Sequence, residues 1–310
     1  MAVATVLICT YNRADLLGET LDSLARSRTS LSWNVIVVDN NSTDQTRSTV
    51  EKYRDDEDSR VRYVFEQRQG RSSALNAGIE STGSDLIGMI DDDEEVDANW
   101  LHRVSEAFAG SDVDFVGGPY IPNWSLEPPR WLPHNYLGVI GWIDGGNRIV
   151  QFGERYPGIL MGGNAVLTRQ IIRRVGLYNP VLSRTGRRLL AGEDEDMYKR
   201  LLKTGARGFY LPDLIIYHYV PPERLTKRYF RRWCFWRGVS RGLLDCEAPS
   251  PVAYLAGVPR WLYGRAARGL VDVVRRRMAR VDAPDESFSS ELAFWDLAGF
   301  FYGKHFYRPR

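Results

Sequence analysis

Leu86-Ile87-Gly88-Met89-Ile90 runs straight into Asp91-Asp92-Asp93-Glu94-Glu95. A short, unbroken apolar run reads as a buried strand. Its end delivers carboxylates to the edge of a sheet, where open α/β folds bind ligands. Five adjacent negative charges repel one another unless a cation or solvent relieves them. Carboxylate oxygens are hard ligands that suit Mg²⁺ or Mn²⁺. The stretch therefore reads as a divalent-metal site serving a phosphate-bearing substrate. The plainer alternative is a solvated acidic turn between a strand and a helix.

Upstream, the same strand, polar turn and helix recur. Val3 to Cys9 is a buried-type strand, followed by Thr10-Tyr11-Asn12-Arg13 and a helix near Asp15 to Arg26 with Leu16, Leu17, Leu21 and Leu24 at helical spacing. Val35 to Val38 is a second strand, ending in Asp39-Asn40-Asn41-Ser42, and Ser42 or Thr43 suits a helix cap. Val61 to Phe65 is a third strand, and Arg71 to Ile79 a helix. Alternation of this kind implies a mostly parallel sheet with helices on both faces.

Downstream the pattern loosens. Phe115 to Gly118 is a short strand, Pro119 to Pro133 an ordered loop, and Ile159 to Thr168 a strand broken by Gly162-Gly163. Gly186 to Gly192 is basic and glycine-flanked, so a mobile segment is expected. Glu193 to Lys203 is a helix stopped by Gly205. Phe209 to Tyr219 is apolar and reaches His218. Beyond Pro221-Pro222, arginines and lysines from Arg224 to Arg241 interleave with Tyr229, Phe230, Trp233, Phe235 and Trp236, and a second basic block is Arg275-Arg276-Arg277. Glu291 to Tyr302 is an apolar helix. A domain boundary is expected near residue 221.

Bulk properties narrow the class. A chain of 310 residues holds one large or two smaller domains. Its 44% apolar and 26% charged residues are ordinary for a globular protein, and a net charge of +2 argues against a polyanion binder as a whole. Cys9, Cys234 and Cys246 have neither metal-ligand nor disulfide spacing, which suits a reducing cytosol. Met1-Ala2-Val3-Ala4 has no basic n-region, so no signal peptide is expected. No apolar run approaches a membrane span. Neither of the first two polar turns carries a dinucleotide or P-loop glycine fingerprint.

The segments VLICTYNRADLLGETLDSL, VIVVDNNSTDQT, QGRSSALNAGIESTGSDLIGMIDDDEE, GGNAVLTR and GEDEDMYKRLLKTG, then the His218 region, occur in this order. Together they resemble the family 2 glycosyltransferases over about residues 2–241. The resemblance implies a GT-A-type, mostly parallel (mixed) α/β sheet with helices on both faces, plus a helical C-terminal extension. It divides the chain into a 1–220 glycosyltransferase domain (1–95 nucleotide-binding half, 96–220 acceptor half) and 221–310. It also implies an inverting enzyme that takes a nucleotide-sugar, with UDP-sugars commonest, and a divalent Mn²⁺ or Mg²⁺.

Matched position by position, the resemblance makes Asp93 the direct metal ligand, with Asp91 and His218 as further ligands. Asp91 and Asp92 stand near the ribose or the metal's water shell, and Glu94 and Glu95 fall outside the signature as solvated residues. Thr10, Tyr11, Arg13 and Asp39 match positions that hold base and ribose. Gly70 and Arg71 open a helix whose N-terminus can face phosphate, and Asn76 matches a bracing position. Asp194 matches the catalytic base that must take the acceptor hydroxyl's proton, and Glu193 orients the acceptor or the backbone. Gly163 and Asn164 match the strand beside the acceptor. Trp124, Trp131 and Trp142 lie on the variable acceptor side, where aromatic faces suit sugar rings. Arg224, Arg228 and Arg237 are within plausible reach of donor phosphates.

Two other readings stand beside this one. Nucleotidyl transfer shares the sheet and the carboxylate metal chemistry, and would release pyrophosphate. Alternatively, the arginine-aromatic C-terminal third is a basic module for an anionic membrane or polyanion. The expected partners are a nucleotide-sugar and a glycan, lipid-linked or small-molecule acceptor, without nucleic acid. The expected location is cytoplasmic, with peripheral contact at the inner face of a membrane.

Overall fold

Four parallel strands built from the apolar runs form the heart of the sheet: β1 (Val3–Thr10), β2 (Ser32–Asp39), β3 (Val61–Phe65) and β4 (Leu86–Asp91), in the order β3-β2-β1-β4. The computed structural model describes residues 3–54, 60–110, 112–153, 155–184, 188–279 and 284–308. These cluster into two units. One comprises Met1–Pro122, Ile143–Pro180 and Glu193–Tyr219; the other comprises Asn123–Trp142, Val181–Gly192 and Val220–Arg310.

In the first unit, helices α1 (Ala14–Ala25), α2 (Thr46–Lys52) and α3 (Arg71–Ser81) connect the four parallel strands. The remaining elements are β5 (Glu94–Val96), α4 (Trp100–Phe108), β6 (Phe115–Gly117), β7 (Tyr120–Trp124), β8 (Val150–Gln151), β9 (Ala165–Thr168), α5 (Arg169–Val175), α6 (Glu193–Lys203), β10 (Gly208–Tyr210) and β11 (Ile216–Val220). The large sheet continues past β4 as β9-β6-β10-β8, and β9 runs antiparallel to both of its neighbours, so the sheet is mixed. A small sheet orders β5-β11-β7.

Period-two alternation explains the layers. Ala4, Val6 and Ile8 of β1 join Val35, Val37, Leu86 and Ile90 on one face, under Leu17, Leu21 and Leu24 of α1 and Trp100, Leu101 and Val104 of α4. Leu7 joins Ile36, Val38, Ile87 and Met89 on the other, under Ala74, Leu75 and Ile79 of α3 and Met197 and Leu201 of α6. Gly88 interrupts the apolar run because the Trp100 ring lies 2.9 Å from where its Cβ would stand. The expected strand over 159–168 is confined to Ala165–Thr168, and Gly162-Gly163 belong to a turn before it.

The second unit is helical: α7 (Lys227–Glu247), α8 (Arg260–Ala279) and α9 (Pro284–His305). Thr226 caps α7 by accepting from Tyr229 N at 3.2 Å. Phe230, Cys234, Phe288 and Leu292 pack with Tyr136, Val139 and Ile140. The two longest contact partners, α7 and α9, meet through glycines: a Cβ on Gly238 or Gly242 would strike the α9 backbone, and one on Gly299 or Gly303 the α7 backbone. Each pair is spaced i, i+4, the small-residue spacing that lets helix backbones approach closely. The basic segment expected to be mobile includes residues 185–187, which lie outside the described residues, as does the side chain of Arg277. Among the described residues, no helix is long and apolar enough to cross a membrane.

Candidate active site

The chain leaves β1 toward β2 and β3, then returns to place β4 on β1's other side, with Cys9 opposite Asp91. This reversal opens a crevice at the carboxyl ends of the strands, the usual ligand position in open α/β sheets. Burial pushes the Cys9 thiol up to about 12, which leaves it inert as a nucleophile. The polar turns flank the same crevice.

The first two turns are sewn together. Asn12 and Asn41 adopt left-handed backbone, at φ 53° and 66°, which asparagine tolerates. Thr43 N donates to Asn12 Oδ1 at 2.7 Å, and Asn12 N donates to Ser42 Oγ at 3.0 Å. Asp44 caps α1 by accepting from Ala14 N at 3.0 Å. Asp39 is buried and accepts from Ser42 N and from the Tyr63 hydroxyl, at 2.8 and 2.7 Å. Asn40 accepts from Gly70 N at 2.7 Å and donates to the Glu66 and Arg68 carbonyls, fixing the start of α3. Thr10 is buried at the end of β1, whereas Tyr11 is 46% exposed. Asn76 and Tyr178 exchange two hydrogen bonds of 2.9 Å, bracing α3.

Two arginines divide the acidic cluster. Arg13 Nη1 bonds Asp92 Oδ1 at 2.8 Å and Asp93 Oδ2 at 3.0 Å. Arg71 bonds Asp91 Oδ1 through Nε and Nη2 at 3.0 and 2.9 Å, reaches Asp194 Oδ1 at 3.3 Å, and lies 3.8 Å from Glu193. Burial alone would lower the Arg71 pKa, but the charges of Asp91, Asp194 and Glu193 raise it well above the ordinary value. Burial raises Asp92 to about 6 against the lowering effect of Arg13, with Asp93 adding to the rise. Asp93 and His218 are both buried, with Asp93 Oδ1 3.8 Å from His218 Nε2. Register brings them together: β11 pairs His218 with Glu94, and Tyr219 N donates to the Asp93 carbonyl at 2.8 Å.

Glu94 corrects one expectation. It is 1% exposed rather than solvated, because β5 turns it inward. Its Oε2 accepts from Asp91 N at 2.7 Å. Burial, then the charges of Asp91 and Asp93, raise its pKa well above the usual carboxylate range. Glu95 is partly exposed and lies 3.4 Å from Arg26.

The turn before β9 forms one wall. Gly162 N donates to Asp194 Oδ2 at 3.0 Å, and a Cβ on Gly162 would collide with Asp194 and Arg71. A Cβ on Gly163 would sit 2.5 Å from Glu94 Oε1 and 3.1 Å from Asp91 Oδ2. Two bare glycines thus let the carboxylates of β4, β5 and α6 converge. Asn164 is buried, accepts from Trp100 Nε1 and donates to the Pro119 and Leu214 carbonyls. These bonds fix the wall that follows the two glycines.

The other aromatic and basic candidates sit in the helical unit. Trp142 is 36% exposed and packs edge to face on Trp124 at 5.9 Å. Trp131 is consumed by packing on Phe230 and Phe288. Arg237 ion-pairs Asp296 at 3.0 Å. The Arg71 bridge and the inward Glu94 were missed in the sequence, where only the paired glycines hinted at crowding.

Among the described residues, no three His, Cys, Asp or Glu side chains form a ready-made metal cage. Asp91, Asp93 and His218 are nevertheless carboxylate and imidazole groups of the kinds that suit a divalent cation.

Comparison with known proteins follows the same outline. The family model described as glycosyl transferase family 2 matches residues 5–176. The glucosyl-dolichyl phosphate glucuronosyltransferase of Haloferax volcanii is 26% identical over 251 residues, covering 79% of this chain and 78% of the relative. The succinoglycan biosynthesis protein ExoM of Rhizobium meliloti is 28% identical over 251 residues, covering 77% and 74%. The mannosyltransferase PcManGT of Pyrobaculum calidifontis, solved with GDP-Man and Mn²⁺, superimposes with a TM-score of 0.63 at 18% identity, covering 97% of this chain and 86% of that one. That likeness establishes the GT-A fold.

Proposed function

The chain belongs to glycosyl transferase family 2, and on that premise we propose that it moves a sugar from a nucleotide-diphosphate sugar, a UDP-sugar by preference, to an acceptor hydroxyl with inversion. The observation that carries this reading is the single guanidinium of Arg71, bonded at once to Asp91 and to Asp194. It holds Asp91 and Asp194, the two carboxylates read here as donor ligand and base, within one side chain of each other.

In this reading Asp194 takes the proton of the attacking hydroxyl as the bond to the anomeric carbon forms. The electron pair of the breaking bond leaves with the nucleoside diphosphate. Gly162 N aims the base through its hydrogen bond to Oδ2. Glu193, buried beside Arg71, holds that guanidinium in place. Asp39 and Tyr11 take the base and ribose, with Thr10 behind them; Arg13 and Arg71 balance the phosphates. Asp93, Asp91 and His218 would hold a Mn²⁺ or Mg²⁺ ion, which would neutralise charge on the departing diphosphate. Gly163 is the acceptor-side residue of this unit. Residues 1–220 do the chemistry, and 221–310 form an accessory helical part. Nucleotidyl transfer lacks the family's support.

The test is a screen of nucleotide-sugars with Mn²⁺ or Mg²⁺, with products identified. Release of a nucleoside diphosphate supports the reading, and release of pyrophosphate overturns it.

Peripheral membrane contact is a second reading, favoured by one observation. Leu270, Val274 and Met278 of α8, spaced i, i+4, i+8, are 66, 44 and 81% exposed, beside exposed Arg268 and Arg275. Such a stripe suits an interfacial helix on anionic lipid. Sedimentation with anionic vesicles, comparing the chain with a Leu270→Glu/Val274→Glu variant, tests it; equal binding removes the idea.

A further inference from the structure

Asp296 of α9 is 1% exposed and surrounded by three arginines. Arg237 Nε reaches Oδ1 at 3.0 Å, Arg241 Nη1 reaches Oδ2 at 3.1 Å, and Arg265 Nη1 lies 3.7 Å from Oδ2. The close glycine contact of α7 and α9 causes this burial, since the site of a Gly238 Cβ is filled by the Asp296 backbone carbonyl. A buried carboxylate needs partners, but Arg237 and Arg241 already satisfy both of its oxygens.

The third guanidinium is surplus. Arg265 joins from α8 and also donates to the Tyr136 hydroxyl at 2.8 Å. Arg237 stacks over Tyr136 and Trp233, and its buried Nη2 has no hydrogen-bond partner. An unused guanidinium donor in a buried setting is costly, and guanidinium matches phosphate oxygens in pairs. Other acids nearby are engaged: Glu291 by Arg231 and Asp245 by Lys304. Arg241 and Arg265 keep side-chain exposures of 26 and 38%, so the cluster opens to solvent, and Trp261 flanks the mouth by stacking on Arg241.

We propose that Arg237, Arg241 and Arg265 form an anion site for a phosphate group. Arg241 and Arg265 meet the incoming oxygens, and the spare Nη2 of Arg237 stands behind them. Asp296 orients the three guanidiniums and is their internal competitor. The site does not depend on the reaction assigned to Asp194.

Binding of inorganic phosphate and pyrophosphate to the full chain is measured by calorimetry in EDTA, which silences metal-dependent binding elsewhere. A parallel arm sediments the chain with phosphatidic acid in phosphatidylcholine vesicles. Arg265→Gln removes the longest, most exposed pair and should keep the fold, checked by circular dichroism. It is expected to weaken the phosphate probe that binds by about tenfold, whereas Asp93→Asn should not. Asp296→Asn removes the competitor and is expected to tighten binding; a purely structural cluster would only be destabilised by it. Binding to soluble phosphates identifies a free phosphate ligand, and binding to the acidic vesicles alone identifies a lipid head group. Either supports the site if Arg265→Gln weakens it. Absence of binding in both arms, or binding that Arg265→Gln leaves unchanged, overturns it.

Discussion

Arg71 ties Asp91, at the end of β4, to Asp194, at the start of α6, across 123 residues between Arg71 and Asp194. Its guanidinium fork makes this possible, since two nitrogens hold one carboxylate while the third reaches the other. We expect Arg71→Gln to lower kcat and raise the donor KM, each by roughly tenfold or more. Arg71→Lys should rescue little, because an ammonium cannot span both acids. Steady-state kinetics checks this, and a lysine variant with full kcat would show that the bridge is idle.

Asp194→Asn keeps the shape of the side chain but removes its basicity. Transfer should fall by about 10²-fold or more, while nucleotide affinity changes little. Turnover measured beside nucleotide titration separates the two. Substantial residual transfer would reassign the base.

Burial raises the Glu94 pKa and so favours its protonated form, and Glu94→Gln should preserve the melting behaviour to within about 1 kcal/mol. Glu94→Ala strips the Asp91 N–H of its acceptor and leaves a cavity, which should cost roughly 2–4 kcal/mol. Denaturant unfolding of both variants decides; equal losses would mean that Glu94 is charged.

Asp92 gives the metal-free protein an unusual pH response. Its pKa rises from 3.8 to about 6 on folding, mainly through burial. Below about pH 3.8 the acid is protonated in both states, and its favourable contribution is complete. From there to about pH 6 the unfolded chain releases the proton first, so this contribution is lost as pH rises. The melting temperature of the wild type relative to Asp92→Asn should therefore fall between pH 4 and 6. Mn²⁺ should raise the wild-type value more at pH 7 than at pH 4.5. A pH-independent difference would contradict the shift.

Gly162→Ala should impair activity more than stability, because its methyl group would displace Asp194 and Arg71 from their places. Normal kcat in this variant would show that the wall yields.

Much of this architecture is visible in the chain as written. The runs at 3–9, 35–38 and 86–90 are almost wholly apolar because both faces of the sheet are covered there, and that signal survives without any tertiary information. The acids at 91–95 are legible as a group but not as individuals. Whether Glu94 points inward depends on the pairing of β5 with β11, a contact of distant segments. Arg71 looked like a phosphate ligand at a helix start; its second partner comes from α6. Asn164 matched the family's strand beside the acceptor, but its bonds to Trp100, Pro119 and Leu214 join segments too distant for the sequence to show. Segments 123–142 and 181–192 join the helical unit with no shift in composition to announce it.

The glycine contact between α7 and α9 changes how the end of the chain can be handled. No side chain stands between the two backbones, so nothing can relax into the space if either helix is withdrawn. A chain ended ahead of α9 would not be a shorter version of this protein. It would carry a bare groove along α7, unpaired arginines where Asp296 had been, and a strong tendency to associate. Point substitutions on the outer surface of α8 are therefore the informative way to ask what the helical unit does, and C-terminal deletions are a test of folding alone.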